Sequence, residues 1–406
     1  MLKKLRLPHY FFYILVAVYI AAALLITAQE LILQRKTEPG QIPAYTKYNN
    51  YVIFQRSHFH LLQGENLYRE YPAEQIDLFK YSPTFAFFFG ALAYFPDWLG
   101  LALWNLLNIL VFLFAIWYLP FFDLKMKAFL LALSGADVFT SLQNSQSNVL
   151  IAGLLILSFG LLEKNRYFPA VLCIMATFYI KIFGIIAILL FLFYPGRLKL
   201  LTYTVISFLV LAIVPMPVIG FDQLRTAYLQ YFDLLRMDEA ASIGLSVMGW
   251  MKTWFHLEIS NFIIVAAGFV LLCMPLLRLW KVGDYPFRLH FLSALMIWMI
   301  IFNHKAESAG FIIATSGIFI WFLSTRASAA NVLLLCMVVL FTSLSSTDIF
   351  PEALRDNYLV PYVVKVIPCI LVWGKILADL LWGNFNEEKG NNPENDVGYP
   401  YGDQGR

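Results

Sequence analysis

Lys3, Lys4 and Arg6 precede the run YFFYILVAVYIAAALLITA, residues 10–28, in which no side chain carries a charge. A helix rises about 1.5 Å per residue, so this run is long enough to cross the roughly 30 Å hydrocarbon core of a bilayer. It exceeds the apolar core of about 7–15 residues found in signal peptides, and it reads as a retained first helix. Its basic flank places the N-terminus in the cytoplasm.

The same pattern recurs to the end of the chain. Apolar runs occupy residues 83–95, 99–119, 128–140, 149–162, 168–194, 201–219, 261–277, 291–302, 310–323, 332–344 and 359–382. The chain is 60% hydrophobic and 14% charged, with a mean hydropathy of +0.69, whereas soluble domains carry about 25% charged residues. Exposing that surplus to water would create apolar patches far beyond those of monomeric soluble proteins. The expected fold is an all-α polytopic integral membrane protein of roughly ten to thirteen segments, with residues 1–384 as one transmembrane domain and residues 385–406 as a disordered polar cytoplasmic tail. A net charge of +3 without a basic stripe excludes nucleic acid as a partner. The four cysteines lie inside apolar runs without metal-binding spacing, so no metal is expected.

Basic clusters at Lys125/Lys127, Lys164/Arg166, Arg197/Lys199, Arg278/Lys281/Arg288 and Arg326 read as cytoplasmic. The run 168–194 then has to leave and return, with a break at Lys181–Gly184. That orientation collects four polar features on the outer face: residues 30–80, the Gln143–Asn148 turn, residues 220–258, and Asn303 to Glu307. One inconsistency stands. The runs 83–95 and 99–119 cannot both span if Lys125 is cytoplasmic; either the first is re-entrant or interfacial, or the charge rule fails there.

The first outer loop is long for a connection, which points to function. Val52, Phe59 and Leu62 recur near helical spacing, so its first part is expected to lie as an amphipathic helix on the membrane surface, ended by Gly64. Its carboxylates, bases and aromatic rings suit a glycan, or simply a solvated loop. His58 and His60, two apart, do not share a helical face and do not suggest zinc. Lys181 is an ammonium in apolar sequence, either snorkelling to the interface or a partner for a lipid-linked phosphate. Asp137 is the comparable lone carboxylate. The cluster Gln143-Asn144-Ser145-Gln146-Ser147-Asn148 can bind sugar hydroxyls or form a mere turn. Asn303-His304-Lys305-Ala306-Glu307-Ser308 places a base, a cation and a carboxylate at a helix end, suiting a phosphate clamp or acid/base work, or a hydrated loop. The second outer loop brings Arg225, Arg236, Asp238, Glu239, Ser242 and Lys252 among tyrosines and tryptophans. No Gly-rich phosphate loop or Ser/His/Asp elbow is evident.

Taken in order, Asn50-Tyr51 through Gly64 to Leu67-Tyr68, Phe79-Lys80-Tyr81-Ser82-Pro83, Trp104, Gln146-Ser147-Asn148, Ile180-Lys181 and the late His304 helix make the sequence resemble glycosyltransferase family 87, also described as domain of unknown function 2029. The resemblance implies a GT-C-like bundle in the plasma membrane. It implies transfer of a hexosyl, mannosyl-like unit from a polyprenyl-phosphate sugar to an outer-side glycan or lipid acceptor, with no cofactor. It also implies an acidic residue of the first outer loop as general base and cationic side chains on the leaving phosphate. Asn50 stands where that family usually has Asp, and an amide is not a competent base. Asp77 is the favoured substitute because it precedes the Phe79–Pro83 match; Glu70, Glu74 and Glu307 are alternatives. The expected catalytic set is Asp77, Asn50, Glu307 and His304, with donor or sugar contacts from Lys181, Lys305, Arg69, Gln143, Gln146 and Asn148. A transporter or flippase of a lipid-linked sugar, or an inactive homologue, is the alternative.

Overall fold

A computed structural model describes residue 8 and residues 10–33, 45–237, 244–345, 347 and 349–383. The basic N-terminal residues Lys3, Lys4 and Arg6, the tail from 385 onward, and Asp238, Glu239 and Ser242 lie outside the described residues. The protein is an all-α polytopic membrane protein, without a β-strand among the described residues.

Four helices are long and apolar enough to cross a membrane: Tyr10–Ile32, Asp97–Tyr118, Arg197–Ile219 and Asn261–Lys281. With them stand Leu124–Gln143, Asn148–Glu163, Tyr167–Ile180, Ile182–Phe193, Tyr285–Ile301, Phe311–Ser324, Ala329–Ser343 and Ile367–Trp382, making twelve segments among the described residues. Tyr285–Ile301 and Phe311–Ser324 are buried almost all round and form the centre of the bundle. Arg197–Ile213 and Asn261–Cys273 expose most of their apolar side chains, as a lipid-facing helix should.

Successive segments run in alternating directions, so each chain reversal falls at one of two ends. At one end Arg288 forms a two-pronged bond to Glu163, both contacts at 2.7 Å, and Lys164 lies 3.5 Å over the Tyr118 ring. There too Arg278 donates to the carbonyls of Leu380 and Gly383, and Tyr285 to that of Pro120. The opposite end holds the polar chemistry described below.

The inconsistency over residues 83–119 is resolved by helix length. Pro83–Ala93 has 11 residues, about 16 Å of helix, too short to span. Ser82 caps its start and donates to the carbonyl of Tyr179, beside the chain break. Its end is met by Gln55, which donates to Ala93 O at 3.3 Å and to Asp97 at 3.2 Å. Both ends therefore lie at the same end of the bundle, and Asp97–Tyr118 alone crosses to Lys125. Pro83–Ala93 does not cross, which is the re-entrant or interfacial alternative, and the charge rule holds at Lys125.

The surface helix occupies Asn49–Gln63 and closes, as expected, on Gly64 in the left-handed conformation at φ 73°. Its inward face differs from the expected one. Tyr51, Phe54, His58 and Leu61 are buried, while Val52, Phe59 and Leu62 are half-buried. The reason is that Pro83–Ala93 lies beneath it. Phe54 packs edge-on against Phe85, Phe89 and Trp104, and the His58 ring occupies the space left by Gly90.

Candidate active site

At the polar end, stretches from widely separated parts of the chain surround one cavity of about 950 Å³. That is within the roughly 300–1,000 Å³ typical of ligand clefts. Its walls come from the end of the first helix, the surface helix with residues 76–81, the turn between Gln143 and Asn148, the break at Lys181, and residues 300–310.

Two of these walls exist because a helix stops there. Leu124–Gln143 ends at Asn144, Ser145 adopts φ 50°, and the next helix starts at Asn148. The turn is anchored by Trp104, whose indole donates to Ser145 O at 2.9 Å, and by Asn50, which donates to Asn144 O at 2.8 Å. Gln146 accepts from Tyr81 at 3.2 Å. At the second break Lys181 is extended, φ −140° and ψ 124°, between Tyr167–Ile180 and the tight helix Ile182–Phe193. Gly184 makes this return possible: a side chain there would run into Thr177 and the backbone of Phe178 at 2.6–2.8 Å.

Lys181 donates to Asn148 Oδ1 at 2.8 Å, and Asn148 in turn donates to Ala309 O at 3.0 Å. The two breaks and the 303–310 turn are thereby joined. Burial pulls Lys181, which lies between two segments, down to about 8, against the opposing influence of Glu307; nearby Lys80 depresses it further. Burial also lowers Lys305, and Lys80 adds to that effect. Lys80, Lys181 and Lys305 thus form one cationic group, with Asp77 and Glu307 alongside. Asp77 bonds Lys80 at 3.1 Å and keeps a side chain 55% exposed.

The second outer loop closes the site. Gly244 lies directly against the backbone carbonyl of His304, and Leu245 N donates to Ala306 O at 2.9 Å. The helix Phe221–Met237 reaches the surface helix through Gln223 and Leu61 O, stacks Tyr231 on Tyr68 at 5.5 Å, and places Tyr231 in the cavity wall.

Of the residues singled out in the sequence, Asn50, Asp77, Gln143, Gln146, Asn148, Lys181, His304, Lys305 and Glu307 all line this cavity. Arg69 does not: it pairs with Glu65 at 3.2 Å and lies 4.6 Å over the Tyr71 ring. Glu70 and Glu74 are also outside, Glu74 bonding His60 at 3.1 Å. His58 and His60 are packed side chains, His60 stacked on Tyr71 at 3.8 Å. Among the described residues no three His, Cys, Asp or Glu side chains gather as a metal site. Tyr231 of the second outer loop lines the cavity, whereas sequence reasoning missed Glu30 and Lys47, which also line it. The sequence reading puts Glu30 at the start of the polar outer stretch, but it extends the first helix. Its spacing from Ala23, Ile26 and Thr27, all on the buried face of the first helix, is the signal that could have found it.

The profile of glycosyltransferase family 87 matches residues 79–347. The chain belongs to glycosyltransferase family 87. It is therefore a membrane glycosyltransferase. No curated protein matches the chain. The span matched to family 87 contains the Gln143–Asn148 turn, Lys181 and the 303–307 turn. It begins two residues after Asp77, and Asn50 precedes it. The family 87 match thus covers the cationic side of the cavity and leaves the surface helix outside.

Proposed function

We propose that this family 87 enzyme transfers a hexosyl unit, mannosyl-like in character, from a polyprenyl-phosphate sugar to a glycan or glycolipid acceptor at the outer face of the plasma membrane. The observation that carries the reading is the convergence of Lys80, Lys181 and Lys305 with Asp77 and Glu307 in one cavity at the end of the bundle. A phosphate is the anion such a group suits, and a lipid-linked one can reach it from the bilayer. The basic residues Lys125, Lys127, Lys164, Arg197, Lys199 and Arg278 belong to the opposite end, which supports a cytoplasmic assignment for that end and an outer one for the cavity.

In this mechanism Asp77 takes the proton from the acceptor hydroxyl, whose oxygen attacks the anomeric carbon. The bond from that carbon to the phosphate oxygen breaks, and the electron pair leaves with polyprenyl phosphate. Lys181 and Lys305 stabilise the negative charge as it develops. Asn50, with its amide donated to Asn144 O, holds the surface helix on the turn and does no proton transfer. His304 and Glu307 shape the donor side. No metal or other cofactor takes part in the proposed reaction.

Purified protein in nanodiscs, given a radiolabelled polyprenyl-phosphate mannose and a mannoside acceptor, is expected to form labelled disaccharide. Movement of labelled lipid across the bilayer without covalent transfer would instead establish the flippase reading. Donor binding with neither outcome would establish the inactive homologue.

A further inference from the structure

Lys181 and Lys305 are each within electrostatic reach of Lys80 in the cavity. Its lining also holds the amides Gln29, Asn49, Asn50, Gln143 and Asn144, together with Glu30. Glu30 is 5% exposed, it projects from the buried face of the first helix, and its Oε2 has no hydrogen-bond partner among the described residues. A carboxylate in such a place is costly unless hydrogen-bond donors compensate it. None of the neighbouring amides bonds Oε2: Asn50 Nδ2 donates to Asn144 O, Asn144 Nδ2 donates to Thr140 O, and Asn49 takes part through Oδ1, which accepts from Ile76 N at 3.2 Å.

We infer that Glu30 and the amides around it form the acceptor subsite of this cavity, selecting a neutral sugar with two adjacent free hydroxyls. A carboxylate has only acceptor positions, on two oxygens, and a vicinal diol supplies two O–H donors at matching separation. Asn49 Nδ2 and Asn50 Oδ1 then serve the remaining hydroxyls. A cationic ligand is disfavoured because Lys47 is within electrostatic reach of Glu30. An anionic one is disfavoured by Glu30 itself. The inference rests on the transfer reaction proposed above and names the class of acceptor for it.

The test uses binding, so that it does not depend on turnover. Full-length protein in nanodiscs is titrated with methyl α-mannopyranoside and with its 3-deoxy counterpart, which has no two adjacent hydroxyls, followed by saturation-transfer NMR. The wild type is expected to bind the diol about tenfold more tightly than the deoxy sugar, the scale of a hydrogen bond to a charged group. Glu30→Gln, which keeps shape and removes charge, is expected to lose that preference while its affinity for farnesyl phosphate stays within about twofold. Equal preference in both proteins overturns the inference. So does a Glu30→Gln protein that loses farnesyl phosphate as strongly as the mannoside. Lys181→Met is the separate control for the donor reading: unchanged farnesyl phosphate binding in that variant overturns the phosphate site and leaves the Glu30 result standing.

Discussion

Lys181 Nζ donates to Asn148 Oδ1 at 2.8 Å, and in doing so joins two places where helices stop. The ammonium sits on a strand-like residue between segments, with Tyr81 and Phe183 rings about 6 Å away. Asn148 opens the following helix wall and donates its own amide to Ala309 O. A cation fixed in this way is held ready for a ligand without having to be reoriented.

Because burial holds Lys181 at about 8, its charge is present below that pH and is lost as pH rises through it. A phosphate ligand prefers the charged form. Donor affinity is therefore expected to be flat below pH 7.5 and to fall several-fold by pH 9, shifted upward by whatever the bound phosphate contributes. Lys181→Arg should flatten the profile, since a guanidinium keeps its charge throughout. Farnesyl phosphate binding measured from pH 6.5 to 9.5 checks this; identical profiles in the two proteins would rule out Lys181 as the titrating group.

Asp77→Asn is expected to lower kcat by about 10²–10⁴, the usual contribution of a general base. Folding should be unaffected, because the Asp77–Lys80 pair is exposed and such pairs contribute little. Glu307→Gln is the comparison, expected to act mainly through donor KM. Turnover rates together with detergent melting temperatures separate chemistry from folding. A fully active Asp77→Asn enzyme would pass the role to another cavity carboxylate.

Much of this site was legible in the sequence for one physical reason. Gln143 to Asn148, Lys181 and Asn303 to Glu307 are polar residues that interrupt apolar runs, and lipid leaves such residues few places to go except a shared wet cavity. Their gathering in one cavity follows from topology once the segments alternate. Glu30 escaped because it continues a helix rather than breaking one. Arg69 misled for the opposite reason: it is conspicuous in a polar loop, yet its partners Glu65 and Tyr71 are local. The non-spanning segment Pro83–Ala93 was legible only as an inconsistency in parity, and its length decided it.

Gly244 has no room for a side chain, because the carbonyl of His304 occupies the place of a Cβ. Gly244→Ala should push the second outer loop off the 303–307 turn and break the Leu245–Ala306 bond, opening the cavity on the Tyr231 side. Activity is expected to fall at least tenfold while the melting temperature changes by only a few degrees, since the loop lies outside the bundle. Faster proteolysis of the loop in Gly244→Ala than in the wild type would report the displacement; equal proteolysis with full activity would contradict it.

Asp137 and Lys365 are both fully enclosed, at 2% and 4% exposure, and interact electrostatically inside the bundle. Asp137 also accepts from Ser343 at 2.6 Å, and Lys365 Nζ lies 5.1 Å over the Phe311 ring. These contacts hold the ends of the Ala329–Ser343 and Ile367–Trp382 segments against Leu124–Gln143, and neither Asp137 nor Lys365 lines the cavity. Removing one charge leaves the other buried without its counter-charge, a cost of about 3–5 kcal/mol, whereas replacing both by apolar residues is often neutral or favourable. Asp137→Leu and Lys365→Met are therefore each expected to lower stability and yield sharply, and the double substitution to recover most of both. Thermal unfolding in detergent of the two single variants and the double variant measures the coupling. If the double variant is as unstable as the sum of the singles, the two charges act independently and the pairing is refuted.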